Sequence, residues 1–256
     1  MIGEVEVSFE NRVVVVTGAA GGFGSAISEG FGAAGAHVVV SDVDIPGAEK
    51  VAASLPSALA IGADVTDPEA MRSLVDAAVG TYGRVDIMVN NAGLPHLAAP
   101  MIEMSVEEVD AQLAVNVRSV FLGCKFAVPA MRRTAGGGVI VNVASIAGRR
   151  PRPGMTVYNA TKGAVITLTR GLAGELAPDV RVNALNPVVS ETGFIKNSMG
   201  VDTLSEEARA QLVAGIPMGR TAVPTDVANA AVYLASDQAG FLTGVCLDVD
   251  GGRSIA

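Results

Sequence analysis

Short, continuous apolar runs alternate along the chain with longer segments in which apolar residues recur at helical spacing. The runs predict buried strands, because a strand covered on both faces needs apolar side chains at successive positions. The longer segments predict amphipathic helices, and the residues at their ends fit that prediction. Asp67 and Pro68 suit the start of one helix, and Ser105 with Glu108 forms a capping-box pattern at the start of another.

The predicted strands are 12–17, 37–41, 58–62, 85–89, 139–143, 180–185 and 244–249, and the predicted helices are 26–34, 45–55, 68–82, 105–133, 155–177 and 224–236. Their strict alternation, with no linker or tandem repeat, predicts a single-domain Rossmann fold over 1–256. We expect an α/β doubly wound parallel sheet of about seven strands with helices on both faces. From 188 to about 217 the periodicity weakens, which predicts a substrate lid.

A glycine-rich turn, 17–24, directly follows the first predicted strand and contains Gly18, Gly22 and Gly24. Glycines let the backbone approach a pyrophosphate, and the following helix offers free N–H groups and a partial positive charge. The spacing differs from the usual G-x-G-x-x-G, and a glycine run alone would also fit a plain turn. The strands on both sides, with Asp42 ending the second, favour a dinucleotide site.

Two acidic residues follow predicted strands and bear on the choice of dinucleotide. Asp42 is placed to accept a hydrogen bond from the 2′-hydroxyl of an adenosine ribose and to repel a 2′-phosphate. The glycine turn holds no Arg or Lys, and Val43 follows Asp42, so we predict NAD rather than NADP. The alternative for Asp42 is a solvated carboxylate at a strand end. Asp64 fits the adenine amino group or, equally, a turn or helix cap.

A hydroxyl, a phenol and an ammonium come together around the fifth predicted strand. Ser145 follows that strand, and Tyr158 and Lys162 share one face of the next helix because they are four residues apart. A nearby cation lowers the pKa of a phenol, which could then exchange a proton with an alcohol or carbonyl oxygen held by Ser145. Tyr-x-x-x-Lys alone fits an ordinary amphipathic helix equally well.

Asparagine side chains occur at two places where the surrounding sequence is apolar, one at a strand end and one inside a helix. The segment 90–93 reads Asn-Asn-Ala-Gly at the end of the fourth predicted strand, where carboxamides can tie neighbouring loops together. Asn116 lies inside a long apolar helix and needs a partner. We weigh two interpretations of Asn116: a structural hydrogen bond or helix bend, and a helical turn that opens toward an active site.

Composition excludes several classes of function. The net charge of −8 and the pI of about 4.8 argue against nucleic acid or an anionic membrane as the main partner. The two cysteines and two histidines form no metal-binding pattern, so we expect no metal site and a reducing, cytoplasmic location. The acidic start is unlike a signal peptide, and no apolar run approaches the ~20 residues that span a bilayer.

Taken together, these motifs resemble the short-chain dehydrogenase/reductases over the whole chain, in the branch of the 3-oxoacyl-carrier-protein reductases and glucose dehydrogenases. The resemblance rests on the motifs Thr17-Gly18-x-x-x-Gly22-x-Gly24, Asp64, Asn90-Asn91-Ala92-Gly93, Asn116, Ser145 and Tyr158-x-x-x-Lys162. It implies hydride transfer between a nicotinamide and a carbinol or carbonyl carbon, with Tyr158 as acid/base and Ser145 orienting the substrate oxygen. It further implies that Lys162 binds the nicotinamide ribose and lowers the pKa of Tyr158, and that Asn116 helps hold a water-linked proton relay through its main chain.

The expected catalytic residues are Asn116, Ser145, Tyr158 and Lys162. The expected NAD-binding residues are Gly18, Ala20, Gly21, Gly22, Phe23, Gly24, Asp42, Val43, Asp64, Val65, Asn91, Ala92, Gly93, Tyr158, Lys162, Pro187, Val188, Val189 and Thr192. Pro187-Val188 departs from the Pro-Gly that is usual in the family, which puts the lid path in question. The resemblance also implies a homotetramer that pairs 105–133, 155–177 and 245–249.

The leading functional prediction is an NAD-dependent oxidoreductase of secondary alcohols and ketones. The alternatives are an NADP-dependent 3-oxoacyl-thioester reductase and a non-catalytic dinucleotide sensor, in which one of the three catalytic side chains would be replaced. Arg149, Arg150 and Arg152 either receive an anionic substrate group or form a solvated basic loop. The methionines that either line an apolar pocket or only pack are Met155, Met199 and Met218.

Overall fold

A computed structural model of the protein describes residues 7–190, 200 and 205–256, and its central feature is one parallel sheet of seven strands. The strands are β1 (Val13–Thr17), β2 (His37–Asp42), β3 (Ala58–Gly62), β4 (Ile87–Asn90), β5 (Gly138–Val143), β6 (Val180–Pro187) and β7 (Cys246–Val249). Their order is β3-β2-β1-β4-β5-β6-β7, which confirms the predicted fold class. The strand order reverses between β1 and β4 and so leaves a crevice at their carboxyl ends.

Helices cover both faces of the sheet. In the described residues they are α1 (Gly22–Ala33), α2 (Ile45–Ala53), α3 (Pro68–Tyr82), α4 (Val106–Leu113), α5 (Ser119–Ala135), α6 (Thr156–Leu176), α7 (Glu206–Val213) and α8 (Pro224–Ala235). Helix α1 begins four residues before the predicted start at 26, because the glycine turn itself supplies the first helical turn. The N–H groups of that turn are therefore those of a helix amino terminus.

Two hydrophobic cores lie on opposite sides of the sheet because successive strand side chains point to opposite faces. Val13 and Val15 pack with α3, α5 and α6 in one core, and Val14 and Val16 pack with α1 and α8 in the other. All four valines are fully buried. This burial on both faces explains the continuous apolar runs from which the strands were predicted.

The predicted helix 105–133 forms, with an interruption. Ser105 and Glu108 make the predicted capping box, and a π-helical segment, Ala114–Arg118, separates α4 from α5. The combined helix Val106–Ala135 is long and apolar enough to cross a membrane by length and composition. Half of its most apolar window is buried inside the protein, so packing against the sheet accounts for that hydropathy.

The predicted lid at 188–217 lies only partly within the described residues. Strand β6 extends two residues past its predicted end because Pro187 pairs with Val249 of β7. Beyond it, Ser190 forms an isolated parallel bridge with Ala222, and Ser205 caps α7.

Candidate active site

Two depressions lie side by side at the carboxyl edge of the sheet and share Asn91 and Gly93 in their walls. We call the first the Asp42 depression, because Asp42 lies in its wall. It is lined by Gly18, Gly21, Asp42, Val43, Ala63, Asp64, Val65, Asn91, Ala92, Gly93, Leu94 and Val115. We call the second the Tyr158 cleft, because Tyr158 lies in its wall. It is lined by Phe23, Asn91, Gly93, Val143, Ala144, Ser145, Ile146, Ala147, Arg150, Arg152, Tyr158, Lys162, Pro187, Val188, Val189, Ser190, Leu212 and Arg253.

The glycine turn contains glycines of two kinds. Gly18 and Gly22 have φ angles of 64° and 60°, which only glycine adopts without strain. At Gly24 a Cβ would overlap the Gly18 carbonyl oxygen, so this glycine is required by packing. At Gly21 a Cβ would meet nothing within 4 Å, and the backbone there borders open space in the Asp42 depression.

The amino terminus of α1 carries no side-chain cap. Its N-cap is Gly21, which offers no side-chain hydrogen bond, and its first turn contains no acidic residue. By contrast, α2, α3, α4 and α7 are each capped by an Asp or Ser side chain. An uncapped helix amino terminus beside an open depression suits an anion such as a pyrophosphate.

Asn91 joins β4 to the glycine turn. Its Nδ2 donates to the carbonyl oxygens of Thr17 and Gly18, both at 2.9 Å, and its backbone N–H donates to Thr17 Oγ1 at 3.1 Å. The adjacent Asn90 points into the protein and donates to Asn142 Oδ1 at 2.9 Å. The predicted tie between neighbouring strand ends is therefore present, and it fixes the wall that the two depressions share.

Both acidic residues of the Asp42 depression are held by backbone hydrogen bonds. The Asp42 carboxylate accepts from the N–H groups of Ala20 at 2.9 Å and Asp44 at 3.0 Å. Asp64 accepts from the N–H and hydroxyl of Thr66, both at 2.8 Å, which is the turn role that was one of its two predicted alternatives. No Lys or Arg stands among the described residues that line this depression.

Asn116 lies in the π-helical segment and is 1% exposed. Its Oδ1 accepts from Leu94 N at 2.7 Å, and its Nδ2 donates to Leu94 O at 2.9 Å and to Thr161 Oγ1 at 3.1 Å. Both structural interpretations, a hydrogen bond and a helix irregularity, therefore hold. The side chain lines neither depression, but it fixes Leu94 in the wall of one and ties the π-helical segment to α6.

The predicted catalytic trio meets in the Tyr158 cleft. Ser145 Oγ accepts from Ala147 N at 3.1 Å and donates to Pro187 O at 3.4 Å. Lys162, 3% exposed, donates from Nζ to Val143 O at 2.8 Å and lies 5.8 Å from the centre of the Tyr158 ring. Strand β5 and helix α6 thus bring a hydroxyl, a phenol and an ammonium to one wall.

The acidity of Tyr158 differs from the expectation. Burial raises the pKa of Tyr158 to about 12, against the opposing effects of a hydrogen bond with Ser145 and the charge of Arg152. Burial also lowers the pKa of Lys162 to about 8. The expected lowering by Lys162 is absent because desolvation dominates and the ammonium is directed at Val143 O. The protein by itself therefore holds Tyr158 as a neutral phenol, which is the proton-donating form.

The basic loop before Tyr158 divides into two parts. Arg149 is ion-paired with Asp248 and lies outside the cleft, whereas Arg150 and Arg152 line it. Arg253, which we did not predict, also lines the cleft, and its carbonyl oxygen accepts from Arg150 Nη1. No local sequence motif marks Arg253, because it follows β7 and is far in sequence from the loop that contains Arg150.

The remaining predicted residues are placed as follows. Those that line neither depression are Ala20, Gly22, Gly24 and Asn116. Ala20 donates its N–H to Asp42, Gly22 and Gly24 shape the glycine turn, and Asn116 holds Leu94. Thr192 and Met199 lie outside the described residues. Met155 packs against Tyr158, whereas Met218 is 70% exposed and does not line the cleft. Lining residues missed in the sequence include Leu94, Val115, Ser190 and Leu212.

Comparison with known proteins gives a consistent result. A protein-family model described as Enoyl-(Acyl carrier protein) reductase matches residues 18–254. The chain is 43% identical to 4-formylbenzenesulfonate dehydrogenase of Comamonas testosteroni over 253 residues, covering 97% of this chain and 100% of that protein. It is 38% identical to meso-2,3-butanediol dehydrogenase of Serratia marcescens over 249 residues, covering 96% of each.

A solved structure is similar in both fold and sequence. It is that of 3-ketoacyl-(acyl-carrier-protein) reductase from Brucella melitensis, complexed with NADH. The TM-score is 0.91 and the sequence identity 43%, over 97% of this chain and 100% of that one.

Proposed function

The chain belongs to the short-chain dehydrogenase/reductase family of alcohol and carbonyl oxidoreductases, and from this premise we propose that it uses NAD(H) on a secondary alcohol or ketone. Tyr158 is the proposed general acid and base. The observation that carries this proposal is the placement of Ser145, Tyr158 and Lys162 in a cleft that shares a wall with the Asp42 depression.

The described residues fit a dinucleotide. The open space at Gly21 and the uncapped amino terminus of α1 form a cradle that a Cβ or an acidic cap would block. Asp42 and Asp64 lie farther along the same depression, where an adenosine would extend. When bound, the nicotinamide supplies the hydride acceptor for alcohol oxidation or the hydride donor for ketone reduction.

The protein's own residues then handle the proton and the oxygen. Ser145 holds the substrate oxygen by a hydrogen bond from its hydroxyl. In ketone reduction Tyr158 donates its phenolic proton to that oxygen, and in alcohol oxidation the phenolate takes the hydroxyl proton back. Lys162 provides a cation that stabilises the phenolate left after donation. One proton and one hydride are thus added to the carbonyl group or removed from the alcohol.

NAD rather than NADP is favoured by the charge of the Asp42 depression. Its two carboxylates face no cation among the described lining residues, so a 2′-phosphate would be repelled. The similar Brucella melitensis structure carries NADH. A second candidate is reduction of 3-oxoacyl thioesters with NADP(H). Its substrate, though not its cofactor, is supported by the names of the Brucella melitensis protein and of a 38% identical 3-oxoacyl-[acyl-carrier-protein] reductase of Thermotoga maritima.

The test is a substrate screen at the nicotinamide absorbance, with secondary alcohols, ketones and 3-oxoacyl thioesters and with NAD(H) and NADP(H). We expect NADH-dependent ketone reduction that falls by roughly a hundredfold or more in Tyr158→Phe, since a positioned proton donor contributes about that much. Unchanged NADH binding by fluorescence would show that the variant is folded. Full turnover of Tyr158→Phe would refute its role, and a thioester preference with NADPH would favour the second candidate.

We also propose a homotetramer, supported by exposed apolar side chains on α4 and α5. Val106 is 70% and Phe121 is 52% exposed. Sedimentation of the wild type and of Phe121→Glu tests this, with a tetramer expected for the first and smaller species for the second.

A further inference from the structure

The charge of the Tyr158 cleft opposes that of the whole protein. The charged residues that line it, among those the structure describes, are Arg150, Arg152, Lys162 and Arg253, and none is acidic. The protein as a whole carries a net charge of −8. A concave site lined by one sign of charge attracts the opposite sign, and here it does so against the overall field.

Two of the three arginines that line the cleft have a contact that holds them, Arg150 and Arg253, whereas Arg152 is exposed. Arg150 donates to the carbonyl oxygen of Arg253. The guanidinium of Arg253 lies against Gly215, where a Cβ would overlap its Nη1. Among the described residues, no carboxylate forms an ion pair with Arg152 or Arg253, although Arg149 in the same loop is paired with Asp248. The cleft therefore presents cations whose charge is not neutralised by the part of the protein described.

A bound dinucleotide does not account for these cations. The place that suits its phosphates is the amino terminus of α1 at Gly21, in the Asp42 depression, and none of the three arginines lines that depression. The arginines lie instead beyond Tyr158, whose phenol is close enough to feel the charge of Arg152. A bound group that faces them would therefore belong to the substrate.

Apolar side chains complete the walls between the arginines and the trio. Ile146 and Leu212 line the same cleft and are not among the expected NAD-binding residues. An apolar body would pack against them while a terminal charge meets the guanidinium groups, which bind carboxylates and sulfonates in a bidentate manner.

We propose that the Tyr158 cleft selects carbonyl or alcohol substrates with an apolar body and a terminal oxyanion, such as a carboxylate or sulfonate, bound by Arg152 and Arg253. This inference rests on the proposed function and specifies its substrate class. Arg150, linked to Arg253, positions that residue rather than binding the anion itself.

The experiment compares two ketones of the same shape, 4-acetylbenzoate and its neutral amide, 4-acetylbenzamide. Each is reduced with NADH by the wild type, Arg152→Gln, Arg253→Gln and the matched control Arg149→Gln. We expect the wild type to prefer the anion, and Arg152→Gln and Arg253→Gln to lose roughly tenfold or more of that preference through KM, since a charge-assisted hydrogen bond is lost. Arg149→Gln should keep the wild-type ratio. The ratio removes any shared effect of Arg152 on Tyr158.

A wild type that reduces both ketones equally, or variants that retain its preference, would overturn the inference while the proposed function stands. Calorimetric titration of the same two molecules into the protein needs no turnover. It therefore tests the preference for the anion even if neither ketone is reduced. Tighter binding of 4-acetylbenzoate that is lost in Arg152→Gln supports the inference even if no ketone is reduced, in which case the proposed function alone fails. Equal binding of the two molecules, with no reduction, would overturn both.

Discussion

The Asp42 depression and the Tyr158 cleft are neighbours with opposite charge. The first is lined by two carboxylates and the second by four cations, counted over the described residues. They share only Asn91 and Gly93, and the hydrogen bonds of Asn91 to the glycine turn fix that common wall. Both lie at the carboxyl edge of one sheet, so their difference arises from side chains and not from architecture.

Under our two proposals, each half of the site would recognise anions by a different device. In the Asp42 depression, backbone N–H groups at the start of α1 suit phosphates, which leaves the carboxylates free to select a ribose hydroxyl. In the Tyr158 cleft, guanidinium groups carry the positive charge. Because the devices are separate, substitutions in one half should leave the selectivity of the other unchanged.

The largest effect is expected at the junction of the two halves, in Lys162→Met. Turnover with NADH should fall by roughly a hundredfold or more, because no cation then stabilises the phenolate of Tyr158. The neutral side chain should also raise the melting temperature. Turnover within a few-fold of the wild type would show that Lys162 is not part of the chemistry.

The stability gain in Lys162→Met follows from the sign of the pKa shift. Burial lowers the pKa of Lys162 from 10.5 to about 8, so the folded protein disfavours the ammonium. Below pH 8 this difference in pKa costs roughly 3 to 4 kcal/mol of stability. The cost is relieved as pH rises from 8 to 10.5. Thermal unfolding at pH 7 and pH 10 should therefore show a smaller gain at the higher pH.

The next largest effect is expected from neutralising the Asp42 depression in Asp42→Asn. The amide oxygen can still accept the N–H of Ala20, so the loop should stay folded while the charge is removed. The preference for NADH over NADPH should fall by roughly ten- to a hundredfold, since repulsion of the 2′-phosphate is lost. The matched control is Asp44→Asn, a neighbouring carboxylate that does not line the depression. An equal shift in both variants would contradict a specific role for Asp42.

A matched pair of glycine substitutions separates the cradle from the packing beneath it. Gly24→Ala should destabilise the fold by several kcal/mol, because its Cβ overlaps the Gly18 carbonyl oxygen. Gly21→Ala should leave the melting temperature unchanged and weaken NADH binding by roughly tenfold, because the methyl fills space in the Asp42 depression. Unfolding curves of both variants measure the change in stability, and fluorescence titrations measure the change in NADH affinity. Tight NADH binding by Gly21→Ala would place the pyrophosphate elsewhere.

The smallest effect is expected from pH. The affinity for NADH should fall by roughly fivefold as pH rises through about 8, because Lys162 loses the charge that strengthens its hydrogen bonds. Tyr158, with a pKa of about 12, stays neutral over this range and contributes nothing. Fluorescence titration with NADH between pH 6 and pH 9.5 measures this change in affinity. The inflection should be missing in Lys162→Met, and its persistence there would assign it to another group.

Local patterns predicted much of this site. The four-residue spacing of Tyr158 and Lys162 places them on one helical face in any fold. The tie between Asn91 and the glycine turn follows from two parallel strands ending at the same edge. The capping box at Ser105 is likewise a local signal, and so is the alternation of strands and helices.

Features of the site that depend on contacts between distant parts of the chain were not predicted from the sequence. The sequence could not tell Arg149 from Arg152, because the choice is made by Asp248, which pairs with only one of them. Arg253 reaches the cleft through the end of β7. The high pKa of Tyr158 arises from burial against residues such as Met155, and burial is a property of the packed structure.

The most direct test of this two-part site is a set of four kcat/KM values for the wild type, with NADH or NADPH as donor and 4-acetylbenzoate or 4-acetylbenzamide as acceptor. We predict the highest value for NADH with the anion, and a preference for NADH that is the same with either ketone. Higher values with NADPH, or with the neutral amide, would contradict the assignment of the two oppositely charged halves.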